Sequence, residues 1–335
     1  MYKYLRDDIK KMEAYKVKEL NYQVKLDANE GMPWIGDYNR YPNDKSNGLR
    51  NKLADNLNKS PDEILIGNGS SELIELVMKA YLDAGEVVMS ISPTFSMYEI
   101  FTIIHKGKYV EYPLSNMETL NIEGFLDSIR EVKPKIVIIS NPNNPTGTMI
   151  PYTDILKIIK GLDGMLILDE AYIDFSNIRP NDDTRAFKNL IILRTFSKAM
   201  SLAGIRVGYM IANEEIIDYI NRVRSPYNVN SLTQEMALKA LESREIFIGN
   251  IEKIKSERDR MKLELEKKGF KPIPSHGNFL FFQGRKGFGR KLQEKGILIR
   301  EYSNNLEGYF RLTIGTEEEN NLVLKIIEEV QNERG

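Results

Sequence analysis

The sequence predicts an α/β protein, in which helices cover a mostly parallel large-domain sheet and a smaller α+β domain follows. Short, continuously apolar segments alternate with helical patterns over the first two-thirds of the chain. Continuous apolar strands are typical of a parallel sheet that is buried on both faces, although we expect one antiparallel strand as well. Beyond residue 225 the pattern changes to long charged helices and to short strands with hairpin-like spacing, which predicts the smaller domain.

The composition excludes several classes of function. Among the 335 residues, 41% are hydrophobic and 28% are charged, which is usual for a globular protein, and a net charge of −1 gives no overall attraction to nucleic acid or membrane. The absence of cysteine excludes disulfides, thiol nucleophiles and cysteine-ligated zinc. The two histidines, His105 and His276, lie outside the polar clusters, so we expect no metal site. With no signal peptide and no membrane-spanning run, we expect a cytoplasmic protein.

The predicted elements follow one another in a regular order. Apolar spacing predicts helices at 46–58 and from residue 73, and in the C-terminal part at 232–269 and 322–331. Apolar runs predict large-domain strands at 64–66, 87–92, 135–140, 165–168, 190–193 and 207–212. Short strands of the small domain are predicted at 278–282, 296–300 and 309–315.

Polar clusters follow most of the large-domain strands. In sheets of this class, ligands bind at the carboxyl ends of the strands. We therefore expect these clusters to line one site. In chain order they contain Gly69, Ser70, Ser71, Phe95, Asn144, Asp169, Tyr172, Thr195, Ser197 and Lys198.

A glycine-serine turn joins the first of these strands to a helix. Such a turn presents backbone N–H groups and the hydroxyls of Ser70 and Ser71 to a phosphate. A serine that simply caps the helix would give the same pattern, so the turn by itself leaves both interpretations open. The chain has no full dinucleotide fingerprint or Walker loop, so nothing indicates NAD or ATP.

Lys198 differs from most other lysines, which lie in charged surface runs. It lies between the apolar runs 190–193 and 205–210, where burial would lower the pKa of its amine. A neutral amine can attack the aldehyde of a cofactor. The alternative is a lysine in a partly exposed loop, which would be the better interpretation if Lys198 stood alone.

Together, the clusters match the groups of one ligand, pyridoxal 5′-phosphate. Lys198 matches the aldehyde, and Asp169 matches the pyridinium nitrogen, whose retained proton makes the ring an electron sink. The other matches are to the phosphate (Gly69, Ser70, Ser71, Ser197, Arg206), to the phenolic oxygen (Asn144, Tyr172) and to the ring face (Phe95).

These residues also carry a resemblance to a known family. Four motifs, in this order and spacing, resemble the signature of fold-type I pyridoxal-phosphate enzymes of aminotransferase classes I and II: Asn144-Pro-Thr-Gly147, Asp169-Glu-Ala-Tyr172, Ser197-Lys198 and Arg206-Val-Gly208. More narrowly, six stretches resemble the homodimeric histidinol-phosphate aminotransferases: 26–30, 39–42, 67–72, 195–198, 203–206 and 310–315. The resemblance covers essentially the whole chain. It implies transamination of L-histidinol phosphate with 2-oxoglutarate in histidine biosynthesis.

The resemblance also implies a role for each matching residue. Lys198 would form the Schiff base and move the proton, Asp169 would pair with the ring nitrogen, and Tyr172 with Asn144 would bond the ring oxygen. Thr195 would join the phosphate-binding set, and Tyr41 would reach the phosphate from the partner subunit of a homodimer. The implied substrate contacts are Tyr15, Asn29, Asn144, Arg300 and Arg311.

Two arginines suit the implied substrates for a physical reason. The donor carries a phosphate and the acceptor carries two carboxylates, so one site must offer delocalised and adaptable positive charge. Arg300 could instead form a surface ion pair with Glu301, which would contribute little. Arg311 lies within an apolar run, where an unpaired charge would be costly.

The sequence predicts three parts of the chain, and other functions stay open. We predict an N-terminal segment at 1–33 that belongs to the small domain and to a dimer contact, a large cofactor-binding domain at 34–224, and a small domain at 225–335. An aromatic or broad-specificity aminotransferase is the first alternative, and a threonine-phosphate decarboxylase is the second. A non-catalytic regulator would need a DNA-binding domain ahead of the large domain, and residues 1–25 are too few for one.

Overall fold

The computed structural model of the chain describes residues 3–15, 17, 23–178 and 184–333. The strands in these residues are β1 (Ile64–Gly67), β2 (Val87–Ser92), β3 (Lys108–Pro113), β4 (Ile136–Ser140), β5 (Met165–Asp169), β6 (Leu190–Thr195), β7 (Gly208–Ala212), β8 (Phe279–Gln283), β9 (Arg300–Glu301) and β10 (Tyr309–Thr313). The helices are α1 (Asp7–Lys10), α2 (Asn47–Leu57), α3 (Gly69–Tyr81), α4 (Met97–Ile104), α5 (Ile122–Val132), α6 (Tyr152–Gly161), α7 (Glu214–Val223), α8 (Ser231–Glu242), α9 (Arg244–Lys267), α10 (Phe288–Glu294) and α11 (Glu317–Asn332).

A seven-stranded sheet forms the centre of the larger part of the described chain, in the order β1-β7-β6-β5-β4-β2-β3. Strand β7 pairs antiparallel with both β1 and β6, whereas the other neighbouring pairs are parallel. The predicted fold class, with one antiparallel strand in a mostly parallel sheet, is therefore confirmed. The sequence did not predict β3, because this edge strand alternates exposed and half-buried residues instead of forming an apolar run.

The central strands are mainly apolar, with polar residues only at their carboxyl ends, because both faces of the sheet are covered. Every residue of β4, β5 and β6 is buried. Successive side chains point to opposite faces, so Ile139 and Leu168 lie in one apolar cluster, and Ile138 and Ile167 lie in the other. This double burial leaves the ends of the strands as the places where polar side chains can collect.

The smaller sheet is antiparallel, in the order β8-β10-β9, and packs against α9, α10 and α11. Helix α10 was not predicted; it buries Phe288 and Leu292, four residues apart, against the sheet. Helix α11 begins five residues before the predicted start at 322 (Glu317), because Thr316 and Glu319 form a capping box while the first turn carries no apolar residue.

The described part of the N-terminal segment contacts the helices of the large sheet. Leu5 and Ile9 are buried in the same apolar cluster as residues of α3 and α7. The backbone N–H of Arg6 donates to the carbonyl of Ala80, at 3.1 Å. The sequence predicted that this segment would join the small domain. Residues 1, 2, 16 and 18–22 of the segment lie outside the described residues, and the domain boundaries stay a prediction.

Candidate active site

A cleft of about 610 Å³ lies at the carboxyl ends of the parallel strands, between the large sheet and the small one. Its lining contains residues from the loops after β1, β2, β4, β5 and β6, together with residues of β9 and β10. Twelve of the predicted site residues line it: Ser70, Ser71, Phe95, Asn144, Asp169, Tyr172, Thr195, Ser197, Lys198, Arg206, Arg300 and Arg311.

One end of the cleft combines a helix N-terminus with a guanidinium group. Ser70 and Ser71 lie in the first turn of α3, where backbone N–H groups have no intrahelical partner and the helix dipole is positive. Gly69 has a φ of +80°, and a Cβ atom there would lie 2.5 Å from Nη2 of Arg206. The absence of a side chain at residue 69 therefore lets Arg206 lie against the helix start, where it also donates to Ser197 Oγ at 3.4 Å. This arrangement fits a phosphate group.

Lys198 is half-buried in the cleft, and its Nζ lies 5.3 Å from the ring centroid of Tyr172. Burial lowers the pKa of the Lys198 amine, and the positive charges of Arg311 and Arg206 lower it further. The negative charge of Asp169 opposes this change. An amine whose pKa is lowered in this way is more often neutral near physiological pH and can act as a nucleophile or a base.

Asp169 ends β5 and is buried beneath the cleft. Its Oδ2 accepts a hydrogen bond from the hydroxyl of Tyr98 at 2.8 Å, and its Oδ1 accepts one from the N–H of Ala171 at 3.2 Å. Burial raises the pKa of Asp169, while these two hydrogen bonds and the charge of Lys198 lower it. A carboxylate in such a place is best stabilised by a cation in the cleft.

Asn144 and Tyr172, the residues predicted to bind the ring oxygen, both line the cleft. The Arg311 guanidinium donates to Oδ1 of Asn144, which leaves the amide N–H groups of Asn144 as donors. Arg311 also lies over the ring of Phe279, with its Cζ 5.4 Å from the centroid. Burial raises the pKa of Tyr172 to about 12, so its hydroxyl stays protonated at neutral pH and can donate a hydrogen bond.

Gly147 explains how the Asn144 loop meets the smaller sheet. Its φ is +78°, and a Cβ atom there would collide with the side chain of Ser275. The carbonyl of Gly147 accepts the N–H of His276 at 2.7 Å. The close approach that glycine permits therefore joins the loop of Asn144 to the chain just before β8.

The two arginines that were predicted to bind the substrate lie opposite each other on paired strands. Arg300 of β9 and Arg311 of β10 are directly paired in the antiparallel register, and both line the cleft. The Cζ of Arg300 lies 5.6 Å from the ring centroid of Tyr302, which also lines the cleft. Like charges at directly opposite positions destabilise a sheet, so an anion between them would be stabilising.

Besides Gly69, which lies against Arg206, three predicted residues do not line the cleft within one chain. Tyr15 and Tyr41 have 68% and 55% of their surfaces exposed, and Asn29 is also exposed. Tyr41 stacks on Tyr227, with ring centroids 4.6 Å apart.

Sequence reasoning missed two tyrosines around the site, Tyr98 and Tyr302. Tyr98 follows Phe95 by three residues, about one helical turn, and this spacing was the one available signal.

With this geometry established, comparison with known proteins identifies the family. The model of the family described as aminotransferase class I and II matches residues 16–327. The chain belongs to this family.

Individual members are similar over almost the whole chain. The histidinol-phosphate aminotransferase of Caldanaerobacter subterraneus subsp. tengcongensis is 39% identical over 97% of this chain and 98% of its own. The crystal structure of the Clostridium acetobutylicum histidinol-phosphate aminotransferase has a TM-score of 0.82 at 29% identity, covering 89% of this chain and 92% of that one. The corresponding enzyme from Sinorhizobium meliloti, in complex with pyridoxal-5'-phosphate, has a TM-score of 0.81 at 25% identity and covers 88% and 85%.

These comparisons confirm the resemblance inferred from the sequence. The protein is an enzyme of the class I and II aminotransferase family, with the fold-type I architecture and pyridoxal phosphate as its cofactor. Among the described residues, no helix is both long enough and apolar enough to cross a membrane.

Proposed function

We propose that this protein is a histidinol-phosphate transaminase, which transfers the amino group of L-histidinol phosphate to 2-oxoglutarate in histidine biosynthesis. The products would be imidazole acetol phosphate and L-glutamate, and the reaction would be reversible. The assignment of the substrate rests on one observation, the pair Arg300 and Arg311. These arginines lie opposite each other beside a cleft that contains Lys198 and Asp169. The relatives that bear this name, one of them 39% identical over 97% of the chain, support the same reaction.

The residues of the cleft fit pyridoxal phosphate. The helix start with Ser70, Ser71 and Arg206 is suited to a phosphate, since Gly69 leaves room for the guanidinium. Asp169 is buried with a raised pKa and is suited to a cationic ring nitrogen. We propose the remaining contacts as predicted, with Thr195 and Ser197 near the phosphate, Phe95 against the ring face, and Asn144 and Tyr172 at the phenolic oxygen.

The chemistry divides between the cofactor and the chain. When bound, the cofactor supplies an aldehyde that takes up the amino group and a ring that withdraws electrons. Lys198 would hold the cofactor through its amine and then move the proton between the substrate carbon and the cofactor carbon, which requires the lowered pKa that burial causes. Asp169 would keep the ring nitrogen protonated, and Tyr172 would hold the ring oxygen by donating from a hydroxyl that stays protonated.

The same pair of arginines would bind both substrates. L-Histidinol phosphate offers a phosphate monoester, and 2-oxoglutarate offers carboxylates. Each anion would relieve the repulsion between Arg300 and Arg311, and a guanidinium can give two parallel hydrogen bonds to either group. Arg311 is the better anchored of the two, since it contacts Asn144 and the ring of Phe279, whereas Arg300 is exposed.

We further propose a homodimer with shared sites. The stretch 24–41 exposes several large apolar side chains, among them Met32 at 91% and Trp34 at 88% of their surfaces. Apolar surface of this extent is typical of an interaction site, and a second copy of the chain would cover it. Tyr41 belongs to this stretch and lies outside the cleft of its own chain, so we propose that it reaches the cofactor phosphate of the partner. Tyr15, from the N-terminal segment, and Asn29, from the stretch 24–41, would approach the substrate.

The test of the reaction is a half-reaction without keto acid. The purified protein with its cofactor is mixed with L-histidinol phosphate, L-phenylalanine or threonine phosphate, and the absorption of the bound cofactor is followed. We expect conversion to the amine form of the cofactor that is fastest with L-histidinol phosphate. Conversion with L-phenylalanine alone would instead establish an aromatic aminotransferase, and release of carbon dioxide from threonine phosphate would establish a decarboxylase.

The shared site is tested by mixing two inactive variants. Lys198→Ala lacks the amine, and Tyr41→Ala lacks the proposed partner contact. In a mixed dimer with shared sites, one site combines the intact Lys198 of one subunit with the intact Tyr41 of the other. Random exchange of subunits would restore roughly a quarter of the sites. No recovery, with exchange verified by mass spectrometry, would mean that each site is built from one chain.

The cytoplasmic location stays a prediction, which cell fractionation would test.

A further inference from the structure

Tyr98 contacts the site from behind the cleft. It is the second residue of α4, it is completely buried, and it is not among the residues that line the cleft. Its hydroxyl donates to Oδ2 of Asp169 at 2.8 Å. The residue therefore acts on a bound molecule only through its neighbours, and Asp169 is the neighbour to which its hydroxyl is hydrogen-bonded.

The carboxylate of Asp169 is held on both oxygens. Tyr98 occupies one position on Oδ2, and the N–H of Ala171 occupies one on Oδ1, at 3.2 Å. An ionised carboxylate can accept about four hydrogen bonds, so positions remain for a cation in the cleft. Two donors on different oxygens fix the rotation of the carboxylate as well as its charge.

Tyr98 is itself held in place. Its ring meets the ring of Phe95 edge-on, with centroids 5.6 Å apart and an interplanar angle of 90°. Its backbone carbonyl accepts the hydroxyl of Thr102 at 2.7 Å. Burial, with the negative charge of Asp169, raises the pKa of Tyr98 well above its usual range, so the phenol stays protonated and always donates.

Other ionisable groups also act on Asp169. Lys198 faces it from the loop after β6 and lowers its pKa, and Tyr172 lies close to it in the loop after β5. Arg311 and Arg206 act on Lys198. The hydrogen bond from Tyr98 is the largest of the influences that favour the ionised form of Asp169, and only burial is larger in the opposite direction.

We propose that Tyr98 is a positioning residue of the transamination: its hydroxyl keeps the Asp169 carboxylate ionised and oriented toward the ring nitrogen of the cofactor. This inference rests on the proposed function. Burial raises the pKa of Asp169, and the hydrogen bond from Tyr98 lowers it. Without the hydroxyl, the carboxyl would therefore take up a proton at a higher pH. A neutral carboxyl attracts the cationic ring nitrogen less, so cofactor affinity and turnover would both fall on the acid side.

The test compares Tyr98→Phe with a matched control, Tyr81→Phe. The Tyr81 hydroxyl is also buried, but it has no hydrogen-bond partner among the described residues, so its removal deletes the same atom without a bond. In the cofactor-free protein, the ionisation of Asp169 is followed by carboxyl infrared difference spectra, with Asp169→Asn identifying the signal. In the loaded enzyme, kcat and KM are measured against pH.

We expect Tyr98→Phe to raise the pH at which Asp169 titrates by about one to two units, which is the effect of one hydrogen bond to a charged group. The acid limb of the kcat profile and of cofactor affinity should move by the same amount. At neutral pH, kcat should fall by roughly 10- to 100-fold with little change in KM. In the Asp169→Asn background, the same substitution should have little further effect on kcat. Tyr81→Phe should match the wild type throughout.

Several results would overturn the proposal. An unshifted titration in Tyr98→Phe, or an equal loss of kcat in both backgrounds, would mean that Tyr98 does not act through the charge of Asp169. If Tyr98→Phe does not fold, the wild-type titration decides, because a carboxyl that is protonated at neutral pH is incompatible with the proposal. If the wild type transaminates but the titration of Asp169 is unshifted in Tyr98→Phe, only the proposed role of Tyr98 is wrong. If the wild type does not transaminate, the proposed reaction is wrong, and the role of Tyr98 is wrong with it.

Discussion

Replacement of Gly69 by alanine tests whether the start of α3 binds the cofactor phosphate, as we propose. The added Cβ would lie 2.5 Å from Nη2 of Arg206, which is a flexible and exposed group, so we expect the guanidinium to move away while the fold is kept. A positive φ such as the +80° of Gly69 costs an alanine about 1–2 kcal/mol in the free energy of unfolding. Loss of one charged hydrogen bond to the phosphate costs about 1.5–3 kcal/mol, which weakens cofactor binding by roughly 10- to 100-fold.

Gly85 provides the matched control for this substitution. Its φ is +84°, and a Cβ atom there would meet nothing within 4 Å. Gly85→Ala therefore carries the same backbone strain without touching Arg206. We expect both variants to unfold at similarly reduced temperatures as cofactor-free proteins.

The two variants should differ only in their affinity for the cofactor. Titration of each cofactor-free protein with pyridoxal phosphate, followed by absorption, measures the dissociation constant. We expect Gly69→Ala alone to bind weakly. Equal affinities for the two variants would refute the assignment of Arg206 and the start of α3 to the phosphate, because the displaced guanidinium would then have had no role in binding.

Three further substitutions test the other proposed contacts. Lys198→Ala should abolish turnover and the absorption band of the covalently held cofactor; a variant that still turned over in the half-reaction assay would end the proposed mechanism. Asp169→Asn should lower kcat by roughly 100- to 1,000-fold. Because burial raises the pKa of Asp169, the folded state holds its proton more tightly than the unfolded chain, so the stability of the cofactor-free wild type should fall as pH rises through that pKa and stay lower above it. The asparagine variant should therefore unfold at a higher temperature than the wild type at neutral pH and at a similar one in acid, and a lower temperature at neutral pH would contradict this reasoning. Arg311→Ala should reduce kcat/KM for both substrates by roughly 100-fold while the colour of the bound cofactor persists, whereas loss of the cofactor would show that Arg311 has been misplaced.

Much of the fold was predictable because both faces of the large sheet are buried. The strands β4, β5 and β6 are buried at every position and begin with continuous apolar runs, so their limits could be placed within one or two residues. Strand β3 and helix α10 were missed because a half-exposed edge strand and a short surface helix leave weak apolar patterns. The small-domain strand predicted at 296–300 shortened to Arg300–Glu301, since apolar residues there pack against the core from outside a strand.

The location of the site was predictable for a related reason. Parallel strands bring their carboxyl ends to one edge of a sheet, so residues far apart in sequence, such as Ser70 and Lys198, meet in one cleft. The local sequence pattern did not predict that Tyr41, Tyr15 or Asn29 belongs to the site. Their predicted roles come from the family resemblance, and the role of Tyr41 also involves a second chain. In the single chain these residues lie outside the cleft.

The sequence by itself determined the fold class, the cofactor and the residues of the strand ends, because apolar periodicity and short motifs are local properties of the chain. The tertiary structure alone decided which groups touch. It placed Tyr98 of α4 on Asp169 of β5, Gly69 against Arg206, and Arg300 opposite Arg311. Each of these contacts joins elements whose relative position follows from packing and register across the whole sheet, and a pKa or a charge repulsion depends on those distances rather than on sequence neighbours.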